Sequence, residues 1–151
     1  MIIITLLLIL LVYYLIKSIG LCYVFKVIGY DNAGLAFVPF IRMYMLSCTT
    51  PCYEDDKVYI TPKIGLPKWI FRFWWLIGIL LPILLPGVGF ILALILYFMC
   101  FIRIVQYLCS QFENKREEYF YWIAFASAFL SIIFYVKCFI YMILRKKPKE
   151  I

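Results

Sequence analysis

The chain has no histidine, and none of its eight acidic residues lies inside its long apolar runs. Metal centres are built from His, Cys or carboxylate ligands that converge. Without His, the only candidate is Cys48-x3-Cys52 beside Glu54, Asp55 and Asp56, which lacks the second ligand pair of a structural zinc site. Proton- and cation-coupled transporters keep a costly carboxylate at membrane depth, and this chain has none to offer. An intramembrane protease would want an Asp pair, a Ser–His pair or a zinc motif, and all three are missing. Ser18 adjoins Lys17, but neighbouring helical side chains point about 100° apart. Glycine-rich phosphate loops are also missing, since Pro86–Gly89 reads as a turn. The sequence therefore predicts no catalytic residue, no cofactor and no metal, and it argues against an enzyme. A long polar stretch is lacking too, so residues 1–151 read as one membrane domain. The six cysteines are scattered and do not suggest a disulfide framework.

What is present is hydrophobic. Apolar residues make up 67% of the chain and mean hydropathy is +1.00, against roughly 45–50% apolar residues in a soluble domain. Aromatics reach 21%, the residues that pack bundles and anchor at headgroups. Fifteen basic residues against eight acidic ones give a net charge of +7. The basic residues flank apolar runs, which points to anionic lipid headgroups as partners and away from nucleic acid. Residues 1–16 lack the basic start and small-residue cleavage site of a signal peptide, so they read as a retained first helix.

About 20 apolar residues span a bilayer as a helix. Runs over about 2–27, 69–85, 90–108 and 119–144 meet or approach that length, which predicts an all-α bundle of four spans. Residues 35–47, broken by Pro39 and Arg42, suit a short interfacial or re-entrant helix. Residues 48–68 read as a polar loop, 109–118 as a short charged loop, and GYDNAG (29–34) as a turn. The bias in Lys and Arg sets orientation. With both termini outside, Lys17, Lys26, Arg42, Lys57, Lys63, Lys68, Arg72, Arg103, Lys115 and Arg116 face the cytoplasm. The tail from Arg145 to Lys149 is then external, as is Lys137.

The charges inside apolar runs are all basic: Arg42, Arg72, Arg103 and Lys137. Each costs roughly 2.5–3.5 kcal/mol at the bilayer centre, so each is expected to snorkel to a boundary. Arg42, Arg72 and Arg103 would share one face, where they could contact a phosphate on an anionic lipid or isoprenoid carrier.

The stretch FKVIGYDNAGLAFVPFIRMY (25–44) is like the pattern F-x-K-x-G-x-x-G-W-x4-P-x-Y-N-x-Y at Phe25, Gly29, Gly34, Pro39 and Tyr44, with Lys26 close to the expected place. KIGLPKWIF repeats a second element, G-x-P-x-W, at Gly65, Pro67 and Trp69. Over residues 10–108 the chain resembles a family of small bacterial multi-spanning membrane proteins known only as a domain of unknown function. It departs from that pattern by two extra turn residues, by Leu35 in place of the motif Trp, and by Ile41 and Arg42 in place of the Tyr-Asn pair. The resemblance implies a short segment after the first helix and the bacterial cytoplasmic membrane, and it brings no activity. The leading expectation is a non-catalytic accessory or assembly subunit of a transport, secretion or envelope complex, partnered by other subunits or copies of itself. An oligomeric pore or carrier for an anionic or lipid-like solute and an envelope immunity or stress protein are the alternatives.

Overall fold

A computed structural model describes residues 1–52, 56–61 and 64–148. Its described residues form seven α-helices: α1 (Ile2–Ile28), α2 (Pro39–Cys48), α3 (Lys68–Arg72), α4 (Trp74–Leu84), α5 (Val88–Glu113), α6 (Tyr121–Phe129) and α7 (Ile132–Ile143). Short 3-10 turns precede α2 (Ala33–Phe37) and α6 (Glu117–Phe120), and two strands, β1 (Lys57–Thr61) and β2 (Ile64–Pro67), pair antiparallel. The all-α expectation holds apart from this hairpin, which occupies the segment expected to be a plain loop. Val58, fully buried, explains the strands: it ties the hairpin to the core.

α1 and α5 are long and apolar enough to cross a membrane. The first matches the expected 2–27 closely. It ends where Gly29 adopts φ 101°, a left-handed cap that only glycine enters without strain. Pro39 opens α2 at its first position, where its missing N–H is not needed. The run over 69–85 is not one helix: it breaks at Phe73 into α3 and α4, and Pro82 further weakens α4 by withholding an N–H. α4 and α5 form a tight hairpin through Gly87 (φ 86°), and any side chain at Gly89 would strike the Leu81 carbonyl. α5 also runs on to Glu113, five residues beyond its expected end.

The largest difference concerns 119–144, expected as one crossing. Lys137 Nζ lies 5.2 Å from the Phe120 ring, yet in a continuous helix these residues would stand about 25 Å apart. The chain turns back at Leu130–Ser131, making α6 and α7 an antiparallel hairpin laid against α5. Phe98 meets Phe129, Phe101 meets Phe134, and Phe112 stacks on Tyr141. α7 therefore runs parallel to α5. It also runs parallel to α1, where Lys17 covers the Tyr135 ring, Gly20 touches the backbone of Cys138 and Phe139, and Tyr23 bonds the Lys146 carbonyl. The two chain termini thus lie at opposite ends of the molecule, which replaces the expectation that both face the same side. A second return occurs after α1. Tyr14 donates to the Phe37 carbonyl, so the chain travels back about 21 Å along α1 between Ile28 and Phe37 before α2 reverses it.

Candidate functional site

The three arginines singled out from the sequence are not brought together; each meets a different set of groups. Arg42 is 4% exposed, at the contact of α2 with α1. Its Nη1 donates to Ser18 Oγ at 3.4 Å, and its guanidinium lies 5.7 Å from the Tyr14 ring. Nε finds no partner among the described residues. Lys17 lies beside this arginine, over Tyr135 at 4.0 Å and Tyr13 at 5.9 Å. Aromatic faces attract cations once water is removed, and here they stand in for carboxylates.

Arg72 caps a helix. Its guanidinium donates to the Ser47 carbonyl, the Thr50 carbonyl and Cys52 Sγ, while Ser47 Oγ donates back to the Arg72 carbonyl. Unpaired carbonyls at a helix C-terminus carry partial negative charge, so a fixed cation there locks α2 onto α3. Cys48 and Cys52 are half-buried thiols; Glu54 and Asp55, considered with them as metal ligands, lie outside the described residues. Arg103, 7% exposed, pairs with Glu117. Lys137 pairs with Glu113, whose carboxylate also accepts from Tyr141 at 2.8 Å. Arg42, Arg103 and Lys137, expected to reach toward headgroups, each make protein contacts in this structure. Acids that follow the apolar run of α5 fold back to meet two of them, which linear distance from the run concealed.

Several of the motif positions fall at element boundaries. Gly29 caps α1, Pro39 starts α2 and Pro67 precedes α3. The Tyr59 ring covers Gly65 and Tyr44 packs on Phe73, whereas Lys26, Gly34 and Trp69 are exposed. Tyr30, just beyond the Gly29 cap, packs edge-on against Phe25, and burial pushes its phenol up to about 12.

The described residues leave several cavities. One of about 520 Å³ lies between β1 and α5, with Arg103, Gln106 and Glu117 on its walls. A second, of about 480 Å³, gathers Lys57, Lys68 and Arg72 around Tyr44, Trp69 and Phe73, with Asp56 in ion-pair contact with Lys68 at 3.4 Å. A third, of about 380 Å³, is an apolar groove in which Trp74, Trp75, Gly78 and Pro82 of α4 face Phe90 and Leu94 of α5. No protein-family model, characterised protein or solved structure matches this chain.

The geometry must therefore speak for itself. Tyr44 and Phe73 line the second cavity, and their chain neighbours Met43 and Trp74 line the third. The α4 groove was not foreseen from the sequence. The available signal was the spacing of Trp74, Gly78 and Pro82, which puts one large, one small and one rigid residue on a single helical face.

Proposed function

We propose that this chain is a multi-pass integral membrane protein with three crossings and two elements that dip from one face. The crossings are α1, α3–α4 and α5; the dipping elements are residues 29–48 and the α6–α7 hairpin. The observation that carries the reading is its apolar exposure. Every apolar residue from Ile2 to Val12 is more than half exposed, as are Ile83, Leu84, Val88, Phe90 and Ile91 at the α4–α5 tip. Soluble monomers seldom show apolar patches beyond roughly 300–600 Å², whereas lipid accepts such a surface without cost.

Dimensions and charge agree. From Gly87 to Arg103 is about 24 Å along α5, close to the ~30 Å hydrocarbon core. Tyr119, Tyr121 and Trp122 are exposed near that level, as an interfacial aromatic belt would be. Lys26, Lys115, Arg116, Arg145, Lys146 and Lys147 cluster at the end where α1, α5 and α7 finish, and the opposite end carries no basic side chain among the described residues. That asymmetry supports placing the basic end, with the tail, in the cytoplasm.

Within the membrane, the role we infer is that of a non-catalytic accessory or assembly subunit. Its buried cations are engaged in holding the fold, and the first three turns of α1 stand clear of the other described elements, a surface open to a partner helix. The bacterial cytoplasmic membrane fits the charge asymmetry. Photo-crosslinking from Leu8 tests the role: a discrete adduct with another membrane chain, or with a second copy, supports it. A chain that crosslinks only to lipid and purifies as a lone monomer would refute it.

A further inference from the structure

We propose that the chain is a membrane wedge, wide in the cytoplasmic half of the bilayer and narrow in the other, and that it settles where the membrane bulges toward the cytoplasm. This rests on the membrane reading above and adds a shape to it.

The elements that do not cross all stop at one level. The segment before α2 dips until the Phe37 carbonyl meets Tyr14 of α1, and Phe40 packs on Trp75 in the first turn of α4. The α6–α7 hairpin dips until Phe129 meets Phe98 of α5, 4.8 Å between rings. These contacts share a depth. Trp74 packs on Tyr97, which sets the start of α4 beside Phe98. α7 ties the other two helices together: Tyr135 lies under Lys17 of α1, and its neighbour Phe134 meets Phe101 of α5. Three residues back along each parallel helix stand Tyr14 and Phe98. Tyr97 is about 15 Å along α5 from Gly87, half of a ~30 Å hydrocarbon core. The step lies close to the midplane.

On the cytoplasmic side of that step the described residues place six helices, α1, α2, α3, α5, α6 and α7; beyond it run α1, α4 and α5. A helix with its side chains is about 10 Å across, so the three-helix excess is about 240 Å² of cross-section. The narrow half is also the bare one, with Ile2 to Val12 and the α4–α5 tip exposed. A partner helix against the first turns of α1 would still leave four helices facing six. An inclusion that takes more area from one leaflet is least strained where that leaflet lies on the convex face. Helices inserted into one interface are curvature-sensitive for the same reason.

The test follows the full chain in narrow tubes pulled from giant phosphatidylcholine vesicles, whose neutral headgroups give the basic end no charge to seek. A dye is attached from the outer solution to a short peptide tag at one terminus. With the tag at the C-terminus, only molecules whose cytoplasmic end faces outward are seen. Their density in the tube relative to the parent vesicle, normalised to a labelled lipid, should rise above one. With the tag at the N-terminus only inverted molecules are seen, and the same ratio should fall below one. Equal density in tube and vesicle overturns the proposal, as does a shift of the same sign for both tags. Failure of the underlying reading shows separately, before any tube is pulled: the chain is released from membranes by alkaline carbonate, or both ends of a doubly tagged molecule accept dye from outside.

Discussion

The fold-back at Leu130–Ser131 makes a sharp prediction about sidedness. α6 has nine residues and α7 twelve, so the two limbs rise about 13 and 18 Å. Neither approaches a ~30 Å hydrocarbon core; together, end to end, they would. Single cysteines placed at Ile2, Tyr119, Leu130 and Arg145, in a chain whose six native cysteines are replaced by alanine, distinguish the arrangements. A membrane-impermeant maleimide applied to right-side-out and inverted vesicles should label positions 119 and 145 from the same face. Position 2 should react from the other face. Position 130, at the apex of the hairpin, should react from neither. Labelling of 119 and 145 from opposite faces would refute the fold-back, and with it the parallel pairing of α7 with α1.

Other consequences concern stability in detergent. A Cβ at Gly20 would sit 2.8 Å from the Phe139 nitrogen, so Gly20→Val must push α7 away and should cost about 1–3 kcal/mol by overpacking; Gly34→Ala, facing open space, should leave the melting temperature within about a degree. Glu113→Leu leaves Lys137 and Tyr141 without their shared acceptor and should cost about 2 kcal/mol, whereas adding Lys137→Met should restore most of the loss in a chemical denaturation series. Arg72→Lys exchanges a fork reaching two carbonyls and a thiol for a single ammonium. It should destabilise by about 1–2 kcal/mol and speed amide exchange in residues contacting the last turn of α2.

The long helices α1 and α5 were legible because length and uninterrupted apolar composition fix them, and the turn read at Gly29 marked the end of the first, whereas Pro39, read as an interruption of 35–47, opens α2. The α6–α7 hairpin was not legible. Apolar content says that a segment leaves water, but not whether it crosses or returns, and the break at Leu130–Ser131 uses neither Pro nor Gly. Its cause is tertiary: buried Ala124, Ser127 and Ala128 give α6 a small-residue face that allows close approach to α5, while Lys137 is drawn back toward Glu113. The arginines were located by type, but their partners sit at sequence separations of 14 to 25 residues, beyond what local pattern conveys. The cavities beside α3 and α4 were hidden for the same reason, since residues far apart in the chain line them.

The order of elements also has a bearing on how the chain is made. On the proposed topology, every crossing is complete by Asn114, and the segment that follows dips in and comes out on the side where it was synthesised. The ribosome can finish that last portion without any of it being translocated. A protein fused behind Pro148 would remain in the compartment of its birth, and the closing hairpin would join the bundle as a late docking event.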